Sequence, residues 1–279
     1  MKNETNLTPS QKWERATLAD NFIFYKVMRN HPEECQKLIE MLLNVKIEKM
    51  EMHNEEVIDL DRDAKGVRLD VYVKDIGRLY DIEIQMINTT ELPERSRYYA
   101  AIMTLDSLKS GQLYKDLPET HVIFICMEDI FEQNLPVYTF ENICQEDKKT
   151  KLNDRDYKHF FIAPTCAKMI DDEDVKSFFD FLVSNNACSN YTSKLEDYVK
   201  DAKHNMQWRM QYMTLERMQN YAYRDGKEAG EQQKAVEDAI TLVKKYKATP
   251  ETAAADMGAP LDKVLEALKN TDVKGSNRN

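Results

Sequence analysis

Asp70 and Glu83 are the residues of this chain whose type and placement suggest chemistry. They lie in two short segments, Val67-Arg68-Leu69-Asp70-Val71-Tyr72-Val73 and Tyr80-Asp81-Ile82-Glu83-Ile84-Gln85-Met86. Both segments alternate apolar and polar residues with the period of a half-buried strand. Val67, Leu69, Val71 and Val73 share one face, and Ile82, Ile84 and Met86 face the same core from the second strand. Arg68, Asp70 and Tyr72 point the other way, as do Asp81, Glu83 and Gln85. Asp75-Ile76-Gly77-Arg78 supplies a hairpin turn, with Gly77 offering backbone freedom. If Lys74 pairs with Leu79 around a four-residue loop, Leu69 meets Ile84, Val71 meets Ile82, Asp70 meets Glu83 and Arg68 meets Gln85. A slip of one residue would set every apolar side chain against a polar one. Two carboxylates side by side are destabilising unless something positive sits between them. A divalent cation answers that need, and oxygen ligands suit Mg²⁺. The competing reading is a solvated sheet face whose acids serve solubility. Against it, Asp and Glu are poor strand formers, and three acids share one small face.

The elements around this hairpin indicate an α/β chain. Residues 7–20 read as a polar lead-in. Asn21 to Met28 opens a hydrophobic helix or turn, and His31-Pro32-Glu33-Glu34 starts a second helix, with Pro in its first turn and acids at the positive end of its dipole. Cys35, Leu38, Ile39, Leu42 and Leu43 form its apolar stripe. Ile47 to Val57 is a weaker strand candidate. Pro93 begins a helix that runs to about Ser110 before Gly111, with Ala101, Ile102, Leu105 and Leu108 as core candidates. Val122 to Met127 is a short, β-branched apolar run and reads as a buried central strand. Val137–Phe140 and His159–Ile162 are further strands, and Asp174 to Val183 is a short helix. The order predicts a mixed central sheet flanked by helices.

From about Tyr191 the texture changes to long helical segments, with Gly226 and Gly230 as candidate interruptions. Thr249 to Gly258 reads as a capped short helix, and Asp262 to Lys269 as a second one after Ala259-Pro260-Leu261. Lys274 to Asn279 reads as a disordered tail. The expected organisation is therefore a core domain over 1–189, a long helical segment over 190–247, and a small helix-turn-helix-like element with its tail over 248–279.

Composition sets the outer limits. With 42% hydrophobic and 32% charged residues, the 279-residue chain reads as globular. It contains no uninterrupted apolar stretch of the length that spans a membrane, and no apolar signal region at its start. Five cysteines (35, 126, 144, 166 and 188) lack Cys-x-x-Cys spacing, which points to free thiols in a reducing cytoplasm. The five histidines (31, 53, 121, 159 and 204) show no metal spacing. Net charge is −10. Residues 1–189 carry 24 Lys/Arg against 35 Asp/Glu, whereas 190–250 carry 11 against 9. Any nucleic-acid contact would therefore use a local basic patch rather than global attraction.

The pattern Arg68-Leu69-Asp70-Val71-Tyr72-Val73 followed by Tyr80-Asp81-Ile82-Glu83-Ile84-Gln85 resembles the PD-(D/E)XK nuclease superfamily, and within it the transposase-associated group of recombination-promoting nucleases called Rpn. Asp20 to Met28, Arg95-Ser96-Arg97-Tyr98-Tyr99 with Asp106, Val122 to Cys126, Val137 to Asn142 and the Gly-punctuated run near Gly226 and Gly230 extend the resemblance over about residues 15–235. It implies a restriction-endonuclease-like core with a mixed sheet, plus an α-helical C-terminal region. It implies that Asp70, Glu83 and Gln85 form the catalytic set, with Asp70, Glu83 and the backbone carbonyl of Ile84 holding Mg²⁺, or Mn²⁺ in its place. Such an ion lowers the pKa of a bound water and offsets charge on a scissile phosphate.

Gln85 departs from the superfamily's lysine, replacing a cation with a neutral dipole. Arg68 and Arg97 are the candidates to restore charge or support a phosphate, and Glu34 or Glu40 is the candidate for a first-motif helix acid. The expected function is a divalent-metal-dependent DNA endonuclease associated with recombination or transposition, which forms homo-oligomers through its C-terminal helices. The alternative is a catalytically inactive nuclease fold that binds DNA or protein.

Overall fold

Among the described residues, runs of β-branched and aromatic residues form the centre of one six-stranded sheet, in the order β1-β2-β3-β4-β6-β5. The strands are β1 (Glu51–Met52), β2 (Val71–Asp75), β3 (Arg78–Gln85), β4 (Glu119–Cys126), β5 (Val137–Phe140) and β6 (Asp156–Ile162). The computed structural model describes residues 7–52, 71–87 and 89–276. β3, β4 and β6 run parallel to one another at the centre, while β1, β2 and β5 pair antiparallel toward the edges. The sheet is therefore mixed, as the order of elements predicts.

The hairpin obeys the register expected from the alternation. Val71 pairs with Ile82, Val73 with Tyr80 and Lys74 with Leu79. The turn is tighter than expected: Asp75 pairs with Arg78, so only Ile76 and Gly77 lie between the strands, and Gly77 takes φ +71°. That left-handed conformation suits a residue without Cβ. Met86 lies beyond the end of β3 and is 46% exposed rather than in the core.

Helices cover both faces. The helix after the hairpin, α4, spans Leu92–Ser107 and lies between β3 and β4 in the chain. Its Leu92, Tyr99, Ala100, Ile102 and Met103 pack on Tyr72, Leu79, Val122, Phe124 and Phe160. Ala101 and Leu105, expected in the core, are exposed. The face set by Leu92, Ser96, Tyr99 and Met103 follows the i, i+4, i+7, i+11 spacing of a helix stripe, and counting apolar residues alone misphases it.

Ahead of the sheet lie α1 (Pro9–Arg15), α2 (Asn21–Asn30) and α3 (Pro32–Leu43). α1 replaces the expected polar lead-in. Thr8 and Gln11 form a capping box, and Trp13 is buried with an edge-on contact to Phe22. On the other side of the sheet, α2 lies against β2 and β3. After β6 come α5 (Ala163–Met169), a helix that the residue pattern does not separate from its neighbours, and α6 (Glu173–Ser184). Phe179 of α6 stacks on Phe161 of β6.

α7 spans Asn190–His204 and packs on α2 and α6. α8 then runs without a break from Met206 to Tyr246, through Gly226 and Gly230. Each glycine costs a helix about 1 kcal/mol relative to alanine, and the good helix formers around them outweigh that cost. By internal contacts the chain divides into two compact units, residues 1–209 and 210–279. In the second, Val236 and Ala239 of α8 pack with Ala253 and Ala254 of α9 (Pro250–Met257) and Val264 of α10 (Leu261–Ser276). Thr249 caps α9, and Gly258 ends it at φ +65°. α10 continues to Ser276, so residues 274–276 are helical rather than part of a tail. No described helix is long and apolar enough to cross a membrane.

Candidate active site

The acidic face of the hairpin is an interior surface. Strand alternation places Asp81 and Glu83 on the side that α4 covers, and they are 0% and 2% exposed. A buried carboxylate is tolerated only with compensating charge or hydrogen bonds. α4 binds the hairpin at two points. Arg95 Nη2 donates to Glu83 Oε2 at 2.8 Å, and Arg95 Nη1 donates to Gln85 Oε1 at 2.9 Å. Eleven residues along the helix, about 16 Å at 1.5 Å per residue, Asp106 pairs with Lys74 of β2 at 2.7 Å. Two ion pairs of opposite polarity therefore tie α4 to the hairpin.

The guanidinium of Arg95 is held from several sides. Its Nε and Nη2 donate to the Tyr99 hydroxyl at 3.2 and 2.9 Å. The rings of Tyr99 and Phe124 lie 5.4 and 5.6 Å from its Cζ, within cation–π range. Burial and the nearby Glu83 charge push the Tyr99 phenol well above its ordinary pKa, so it stays protonated. Cys126, paired with Gln85 across β3 and β4, is pushed up to about 12 by burial and remains a thiol. All five cysteines are free.

Gln85 is oriented by both ends of its amide. Oε1 accepts from Arg95, and Nε2 donates to the Ile87 carbonyl at 2.8 Å. Backbone carbonyls alternate along β3. Those of Gly77 and Gln85 accept from Glu119 and Met127, toward β4. The Ile84 carbonyl therefore points the opposite way, toward the β2 side.

The residues expected at the site divide into four sets. Glu83, Ile84 and Gln85 lie together at the end of β3. Asp70 and Arg68 fall outside the described residues, and Asp70 immediately precedes Val71. Arg97 is exposed; two residues beyond Arg95, it is turned by about 200° around α4. The two candidate helix acids hold other parts of the fold. Glu34 is buried and pairs with Lys194 of α7 at 3.1 Å. Glu40 accepts from the Ile47 backbone N–H at 2.9 Å and from Gln36, and that backbone bond leads the causes holding its pKa down.

Arg95 is the functional candidate that the sequence pattern does not single out ahead of Arg68 and Arg97. Its signal is the stripe Arg95, Tyr99, Ile102 and Asp106, which follows the same helical spacing as the buried face of α4.

A family model describing PD-(D/E)XK nuclease family transposases matches residues 30–245. The chain belongs to that family. The match takes in β2, β3, α4 and the rest of the sheet, and therefore the whole Glu83–Gln85–Arg95 grouping. Neither a curated protein nor a solved structure matches the chain. Membership carries a nuclease- or transposase-related function, and nucleases of this family generally use divalent metals. The donors at the end of β3, a carboxylate and a backbone carbonyl, are hard oxygen ligands of the kind such ions prefer. Among the described residues, no group of three or more His, Cys, Asp or Glu side chains gathers as a metal site.

Proposed function

We propose that this chain is a divalent-metal-dependent DNA endonuclease that hydrolyses phosphodiester bonds, with Asp70, Glu83 and Gln85 as its central residues. One observation carries the reading: within a family-matched frame, β3 ends in a buried Glu83 held with Gln85 by one guanidinium, with the Ile84 carbonyl turned toward the β2 side. The register that Val71–Ile82 and Lys74–Leu79 obey would set Asp70 opposite Glu83. Asp70, Glu83 and the Ile84 carbonyl would hold Mg²⁺ or Mn²⁺, with water completing the shell. When bound, such an ion would supply an activated water and offset phosphate charge; Gln85, its amide fixed by Arg95 and the Ile87 carbonyl, would orient a water beside Glu83. The free cysteines accord with a cytoplasmic location.

Nicking of supercoiled plasmid with Mg²⁺ or Mn²⁺ tests this. Wild type should nick, and Asp70→Ala should lose at least about 100-fold of that rate while keeping its circular-dichroism spectrum. Equal cleavage by the two proteins would sink the assignment.

A second reading has its own support. Arg95 already neutralises Glu83 without a metal, as a nuclease fold kept only for binding would require. Calorimetric titration with Mn²⁺ in the presence of DNA separates the two, since no heat of metal binding at millimolar concentration would favour the binding module.

A further inference from the structure

Gln85 stands where the superfamily pattern has a lysine, and it brings no charge of its own. A cation reaches the same place from another element. Arg95 projects from the first turn of α4, bonds Glu83 and Gln85 with separate nitrogens, and is 31% exposed as a side chain. We infer that Arg95 is the positioning cation of this site, carrying from the helix the charge that a lysine at position 85 would carry from the strand. For its chemical purpose this rests on the nuclease reading, while the charge relocation itself rests on the geometry.

Two features support it. Glu83 and Gln85 lie two residues apart on one face of β3, and a planar guanidinium can bond both at once, as an ammonium could not do with the same fixed geometry. The amide of Gln85 is also matched to Arg95: its oxygen faces the guanidinium and its nitrogen faces the Ile87 carbonyl. A lysine at that position would aim a second cation at the guanidinium at hydrogen-bond range, where like charges repel. The neutral residue on the strand and the cation on the helix are therefore one linked choice.

The test is a thermal double-mutant cycle on metal-free protein, using Q85K, R95Q and the combination. R95Q leaves the buried Glu83 without its guanidinium, and Q85K sets two cations together. Each should lower Tm by about 5–10 °C. The combination should recover at least half of the summed loss, because the new ammonium takes over Glu83. Additive losses would overturn the inference. If R95Q does not fold, R95K carries the test. It keeps the charge, so Q85K must be as damaging in its background as in wild type, and a milder effect there overturns the proposal. Plasmid nicking with Mn²⁺ gives a second readout. R95Q should lose about 10- to 100-fold, and the combination should regain most of that loss; full nicking by R95Q would refute the positioning role. A wild type that never nicks DNA fails the nuclease reading alone, since the thermal cycle needs neither metal nor DNA.

Discussion

β3, β4 and β6 bury polar side chains on both faces of the same sheet, under opposite electrostatic regimes. On the face covered by α4, Glu83 sits with Gln85 around the Arg95 guanidinium. On the other face, His121 is stacked between Tyr80 and Tyr157, each 5.1 Å away, and its Nδ1 is 3.1 Å from His159 Nε2. His159 in turn lies 3.2 Å from the Thr139 hydroxyl. Burial pushes His121 down to about 4 and His159 down to about 3. Desolvation prevails at His121, Arg78 adds to it, and the Asp156 carboxylate favours the charged ring; Glu119 lies 3.7 Å from His121 Nε2. One face therefore retains a guanidinium–carboxylate pair, whereas the other favours neutral rings. Polar burial alone does not mark a site; the reading proposed above rests on the cation–carboxylate pair beside the end of β3, with its partly exposed guanidinium.

The contrast between the two faces is most open to attack at Glu83. Glu83→Gln keeps the shape and removes the charge, and should cut plasmid nicking by about 10²- to 10³-fold, read as initial rate at saturating Mn²⁺. If nicking survives that change, the α4 face is no more a reaction centre than the histidine face.

The histidine face should show itself through pH. Its rings bind protons less readily folded than unfolded, where their ordinary pKa is about 6.5. The stability they contribute is then fully present above pH 6.5 and declines as pH falls toward 4 and 3. His159→Gln should flatten the fall of Tm between about pH 7 and 4 without changing nicking at neutral pH. An unchanged slope would mean that the pair does not control acid stability.

The smallest effect is expected at the turn both faces share. Gly77 has φ +71° and open space where a Cβ would stand, so Gly77→Ala costs only conformational energy, about 1 kcal/mol. Urea midpoints should register that loss while nicking stays constant. A change in nicking would show that hairpin geometry reaches the site.

Much of this architecture is legible in the residues themselves. The alternation of β2 and β3 allows one register, and Val71–Ile82 and Lys74–Leu79 obey it. The caps at Thr249 and Gly258 mark α9. Three other features are hidden. Trp13 and Leu18 read as parts of a polar lead-in because most residues around them are polar, yet both are buried. Ala101 and Leu105 read as core because an apolar residue does not announce which side of a helix meets a sheet. The acids of β3 read as a surface because nothing local shows that α4 lies over them.

The amino-acid sequence by itself determined the strand period, the pairing of the hairpin and the family frame, since these depend on local alternation and short-range turn chemistry. Only the tertiary structure decided that Arg95, rather than Arg97, faces Glu83 and Gln85. The two arginines are neighbours on one helix with the same chemistry, and a rotation of about 200°, set by how α4 packs on Phe124 and Tyr72, separates a cation bonded to Glu83 and Gln85 from an exposed one.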